Sequence, residues 1–234
     1  DGTTIAIGAP SNDGAGSNAG QVRVYKNMAG TWTKIGADID GETAGANSGY
    51  SVAISSDGST VAIGASPNLS LFGNFAGQVR VYKNIAGTWT QIGADIDGEA
   101  NDDFSGYSVA ISSDGTTVAI GAPNNSGGGS YAGQVRVYQN MAGTWTKIGA
   151  DIDGEAQNDH SGQSVAISSD GTTVAIGAPY NAGGGSNAGQ VRVYQNITGT
   201  WTKIGTDFDG EATNDISGYS VAIASDCITV AIGA

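Results

Sequence analysis

The chain is poor in the residues on which much catalytic and redox chemistry depends. Among its 234 residues there is one cysteine, Cys227, and one histidine, His160. A single cysteine excludes an intrachain disulfide and leaves the redox compartment unmarked. Basic residues number 9 against 22 acids, giving a formal net charge of −13. A phosphate-binding surface needs clustered Lys and Arg, so nucleic acid is not expected as a partner. Acidity of this kind fits a solvated surface or divalent-cation binding. Nowhere do about 18 apolar residues run together, and no basic-then-apolar leader opens the chain, so no membrane span is expected.

What the chain has instead is repetition. "GQVRVY" occurs at 20–25, 77–82, 133–138 and 189–194, a step of 57, 56 and 56 residues, and Trp32, Trp89, Trp145 and Trp201 keep the same step. Residues 105–160 form one full unit, with four strand candidates and no helical stretch. "YSVAIS" alternates Tyr107, Val109 and Ile111 with Ser108, Ala110 and Ser112, the period of a strand with unlike faces. "TVAIGA" is apolar or small on both faces, as in a strand buried between layers. "QVRVY" sets Val135 and Val137 opposite Gln134, Arg136 and Tyr138, and "TWTKIGADI" supplies the fourth strand.

The joints decide how the strands pair. Asp114-Gly115 between the first two reads as a tight type I′ turn, which requires antiparallel neighbours and disfavours a parallel β-helix. "PNNSGGGSYAG" is a glycine-rich loop, and "NMAG" is a second short turn. A meander of about 56 residues buries too little surface to stand alone, so successive units must stack face to face. The expected fold is all-β: a β-propeller-like array of four-stranded antiparallel blades, one per repeat.

The run "SGYSVAISSDGTTVAIGAP" followed by "GQVRVY" resembles the FG-GAP repeats of integrin-α-type β-propellers. Gly-Ala-Pro stands at 8–10, 121–123 and 177–179 and becomes Gly-Ala-Ser at 64–66, while Ser-Gly replaces Phe-Gly at Ser48, Ser105, Ser161 and Ser217. A similar likeness holds to tandem repeats of secreted or surface proteins from marine bacteria and algae. Blade boundaries of that family imply a partial blade over 1–47 lacking its inner strand, and blades over 48–104, 105–160 and 161–216. Residues 217–234 are then the first two strands of a further blade, or closing strands. "DGTTIAIGA" at one end and "DCITVAIGA" at the other suggest a piece of a longer periodic array.

Acids cluster at the crossing between units. "DIDGE" at 38–42, 95–99 and 151–155 and "DFDGE" at 207–211 are followed, in three copies, by an Asp four residues after the Glu. Asp95, Asp97, Glu99 and Asp103 form one candidate calcium set, Asp151, Asp153, Glu155 and Asp159 a second, and Asp207, Asp209, Glu211 and Asp215 a third. Carboxylates at positions 1, 3, 5 and 9 can wrap oxygens around Ca²⁺. The resemblance does not carry ligands over, because FG-GAP propellers bind calcium in the hairpin between the first two strands, which is only "SSDGTT" here. The competing reading pairs these acids with Arg23, Arg80, Arg136 and Arg192, or uses them as caps.

No catalytic set emerges. His160 fills a slot held by Asn47, Phe104 and Ile216 elsewhere, Cys227 replaces a turn glycine, and no nucleophile has a base and an orienting partner at matched positions. The tryptophans read as inter-blade packing, with sugar stacking as the alternative. Asn68, Asn124 and Asn196 head glycosylation sequons, and Leu69, Leu71, Phe72 and Phe75 lie in a more apolar loop that could form a contact patch. These features lead to the expectation of a secreted or cell-surface, non-enzymatic protein for adhesion or assembly through its loops. Its partners would be further copies, another surface protein or a glycan. The alternatives are a filament subunit completed by strand exchange and, third, a glycan-acting or other hydrolase.

Overall fold

The computed structural model describes residues 2–66, 76–225 and 229–234. Every regular element among them is a β-strand. The first sheet holds β1 (Thr4–Ala9), β2 (Gln21–Met28), β3 (Thr31–Lys34) and β4 (Ile39–Asp40). The second holds β5 (Ser48–Ile54), β6 (Thr60–Ala65), β7 (Gln78–Ile85), β8 (Thr88–Gln91) and β9 (Ile96–Asp97). The third repeats this as β10 (Ser108–Ile111), β11 (Thr117–Ala122), β12 (Gln134–Met141), β13 (Thr144–Lys147) and β14 (Ile152–Asp153). The fourth contains β15 (Ser164–Ile167), β16 (Thr173–Ala178), β17 (Gln190–Ile197), β18 (Thr200–Lys203) and β19 (Phe208–Asp209). A two-stranded sheet of β20 (Ser220–Ile223) and β21 (Val230–Gly233) follows. All pairings between these strands are antiparallel.

Two local details differ from the sequence reading. The fourth strand of each unit is broken: Gln91 opposes Tyr82 and Ile96 opposes Val79, so four residues on one strand face two on its partner. Gly93, with φ of 74°, lies in this bulge, where a side chain would meet the indole of Trp145. The tight turn is also displaced. In "SSDGTT" only Gly115 has positive φ, and the Gly115 N–H donates to the Ser112 carbonyl at 3.0 Å. Positive φ at two successive residues, as type I′ requires, occurs in the other hairpin, at Ala142 (52°) and Gly143 (92°). Asn140 Oδ1 accepts the Gly143 N–H there at 2.9 Å and fixes the bend.

The sheets stack as layers because both faces of each second strand are apolar or small. β6, β11 and β16 are buried along their whole length. Val79, Val81 and Ile96 pack against Val109, Val118 and Ile120 of the next sheet, and Val135, Val137 and Ile152 repeat the contact against Val165, Val174 and Ile176. Each such side chain contributes about 1.5–3 kcal/mol when fully buried. Close approach at these seams requires glycine. A Cβ at Gly121 would collide with the carbonyl oxygen of Gly162 in the following unit, and Ser108 Oγ donates to that carbonyl at 2.7 Å.

The array is open between its first and last sheets. β20 pairs with β21 rather than with β1, its Val221 and Ile223 pack on Ala175, Val191 and Val193, and Ile7 of β1 is 50% exposed. Strand alternation brings the glycine-rich connections (10–20, 123–133 and 179–189) and the inter-sheet crossings (154–163 and its equivalents) to one end. The hairpins lie at the other.

Candidate functional site

Three of the four repeated arginines sit inside the seams, while Arg23 of the first sheet is exposed and pairs with Asp38 of its own unit. Arg80, Arg136 and Arg192 are buried and reach back to the preceding unit, where they pair with Glu42 (3.3 Å), Glu99 (3.6 Å) and Glu155 (3.3 Å). Arg136 Nη2 also donates to the Asp97 carbonyl at 2.8 Å and to the Ser105 hydroxyl at 3.1 Å, while its guanidinium lies over the Tyr138 ring. Burial pushes the Tyr138 phenol above its ordinary value, opposed by Arg136. Such a planar fork, spent on backbone, hydroxyl and carboxylate together, ties two layers into one.

The acids are therefore dispersed rather than gathered. Asp95 accepts from Gln78 (2.6 Å) and Gln91 (2.6 Å), while Asp151 and Asp207 accept from Lys147 and Lys203. The bond to Asp151 holds the Lys147 ammonium above its ordinary value. Asp153 and Asp209 accept from Gln134 and Gln190, and Asp97 lends its main-chain carbonyl to Arg136. Glu99 and Glu155 pair with arginines, and Glu211 is exposed. Asp103, Asp159 and Asp215 turn back to the N–H groups of Ala100, Ala156 and Ala212, and the first two also accept from Asn125 and Asn181. Among the described residues no three acidic, His or Cys side chains converge to hold a metal ion. In the 151–159 copy the four carboxylates are each drawn toward a different protein donor: Lys147, Gln134, Arg192 and the Ala156 N–H.

The indoles of Trp89, Trp145 and Trp201 donate to the carbonyls of Ile35, Ile92 and Ile148 in the preceding unit at 2.7–2.8 Å and pack against the seam clusters, so they join neighbouring sheets. Of the sequon residues, Asn124 lies in the glycine-rich connection and Asn196 caps the β17–β18 hairpin through Gly199. Asn68, Cys227 and the Leu69, Leu71, Phe72 and Phe75 group lie outside the described residues.

Once the repeated residues are accounted for, one unrepeated group stands out at the loop end. His160, on the crossing into the fourth sheet, lies 5.9 Å from Tyr131 with ring planes 12° apart, and 5.2 Å from Tyr180 at 74°. Tyr131 comes from the glycine-rich connection of one unit and Tyr180 from that of the next, at 45% and 39% exposure. Burial holds the His160 imidazole below its ordinary value, against the opposing effect of its hydrogen bond to the Pro123 carbonyl. The ring is neutral at neutral pH, with one nitrogen engaged and the other an acceptor. Among the described residues no serine, threonine or cysteine side chain is hydrogen-bonded to it. This group was hidden in the sequence because its members are far apart along the chain; the visible sign was three aromatic or imidazole side chains, all at slots that vary between units.

Antiparallel meanders of one repeat length, stacked by their faces, define a β-propeller-type repeat protein. Two adjacent stretches, residues 90–138 and 146–194, match the family described as FG-GAP repeat. No match was found among curated protein sequences. The fold is similar to that of the periplasmic gluconolactonase PpgL of Pseudomonas aeruginosa, at 12% identity and a TM-score of 0.48, covering 98% of this chain and 74% of that one. It is also similar to a putative 6-phosphogluconolactonase from Bacteroides uniformis, at 9% identity and 0.48, covering 98% and 75%. The expectation of adhesion or assembly, with its filament alternative, finds no support in these comparisons and is withdrawn. β20 and β21 pair with each other, and Val221, Ile223, Val230 and Ile232 pack on the fourth sheet.

Proposed function

We propose that this chain is a non-catalytic, extracellular carbohydrate-binding module of β-propeller type. The observation that carries the reading is a division of labour. Arg80, Arg136 and Arg192, the indoles of Trp89, Trp145 and Trp201 and most repeated acids are consumed in bonds within or between sheets, whereas the unrepeated Tyr131 and Tyr180 stay exposed at the loop end. An extracellular setting is supported by the FG-GAP repeats. No helix of the described residues is long and apolar enough to cross a membrane. Absence of turnover is supported by the lack of a nucleophile with an adjacent base at the only histidine.

The test is a paired measurement. Labelled protein is applied to an array of neutral and acidic glycans, and the same preparation is assayed for hydrolysis of glucono-δ-lactone and aryl glycosides. Binding to neutral glycans without turnover is the expected result. Turnover that scales with protein and survives repurification, or a blank array, would sink the reading.

A further inference from the structure

We infer that Tyr131, His160 and Tyr180 form a carbohydrate site at the seam between the third and fourth sheets, taking neutral pyranose residues with axial C–H groups, of the β-glucose type. The inference rests on the binding-module reading and gives it a location. Tyr131 and His160 make a stepped pair of near-parallel rings, and Tyr180 stands across them, so the three outline a shallow aromatic corner. Such a corner offers π faces to the apolar side of a sugar ring and polar edges to its hydroxyls. The two phenols, whose hydroxyls have no hydrogen-bond partner among the described residues, can donate and accept, and the imidazole nitrogen not engaged by Pro123 can accept. Net charge of −13, with Asp159 beside His160, disfavours anionic ligands and leaves neutral sugars.

The rings are not required to build the seam. His160 N–H donates to the Tyr131 carbonyl at 3.1 Å, and the same bond joins Asn47 to Asn18 at 3.0 Å and Ile216 to Asn187 at 3.1 Å. Backbone geometry is therefore preserved where no aromatic corner exists. Inter-sheet tryptophans give their N–H groups to carbonyls, whereas Tyr131 and Tyr180 stay 45% and 39% exposed.

The experiment uses the full chain with cellotetraose and laminaritetraose as probes, followed by saturation-transfer NMR and calorimetric titration. Variants are Tyr131→Asn, His160→Asn and Tyr180→Asn, each installing the residue another unit carries at that position, so folding is retained and is checked by circular dichroism. At least about tenfold weaker binding for either tyrosine variant, with saturation transferred to axial sugar protons, is expected. Binding by the wild type that is unchanged in all three variants overturns this location while leaving the module reading intact. No binding of either tetraose by the wild type overturns the site as stated, and a blank array for the same sample marks failure of the module reading itself.

Discussion

The indole N–H of Trp145 donates to the carbonyl of Ile92, 53 residues earlier, at 2.7 Å. This bond crosses from one sheet to the one before it, and the same ring packs on the apolar seam between them. Trp32, at the corresponding place in the first sheet, is 44% exposed. Trp145→Phe keeps most of the apolar area but leaves the carbonyl without its donor. The expected cost is about 1–2 kcal/mol in urea unfolding, against less than about 0.5 kcal/mol for Trp32→Phe. Equal costs would mean that the seam bond contributes nothing.

Glycines separate in the same way. Gly121→Ala drives a methyl group into the Gly162 carbonyl of the adjoining unit, backbone against backbone. Gly143→Ala meets nothing within 4 Å and bears only the strain of a φ of 92°. The first is expected to destabilise by more than about 2 kcal/mol and the second by about 1 kcal/mol, read from thermal or denaturant midpoints. The reverse order would place the tight contact elsewhere.

The hairpin aspartates predict how stability responds to acid. Hydrogen bonds from the Ser168 hydroxyl and the Thr172 N–H hold the Asp170 carboxyl below its ordinary 3.8. Asp57 and Asp114 are also lowered, although desolvation, their largest single influence, opposes it. A depressed folded-state value means that the contribution is complete above the unfolded carboxylate range and disappears as pH falls through the folded value. Asp170→Asn should therefore lower stability at pH 7 and flatten the stability curve below about pH 4. A curve parallel to that of the wild type at low pH would count against this coupling.

Calcium should leave the protein's melting temperature unchanged. Asp151, Asp153, Glu155 and Asp159 point to Lys147, Gln134, Arg192 and the Ala156 N–H, so a cation would have to displace four separate partners. Scanning calorimetry with millimolar CaCl₂ and then excess EGTA checks this. A reversible rise of several degrees on adding calcium would show that the loops reorganise around the ion.

Much of the architecture was legible because period and chemistry coincide. Valines at alternate positions in "QVRVY" give one face to the next sheet, and the repeat length told which residues meet. The turn was misplaced because Asp-Gly is the stronger local signal, yet Ala142 accepts a left-handed φ of 52° once Asn140 caps it. The break after Gln91 was invisible because it depends on a tryptophan from the following unit lying against Gly93. The acidic loop admitted two readings for a related reason. Its spacing suits a cation, but Arg136 and Gln134 arrive from strands distant in sequence and claim the oxygens first. His160 looked incidental since its neighbours Tyr131 and Tyr180 meet it only across a seam.

The seams also govern how the molecule comes apart. Every strong tie described runs between immediate neighbours, so the array should behave as a zipper, with opening cheapest at the outermost layers and dearest in the middle. Amide deuterium uptake would then be fastest in β1 and β21, whose strands are only half covered, and slowest in β11 and β16. The aromatic corner lies on the boundary between those two slowest layers, which would keep its rings in register even while the flanks breathe.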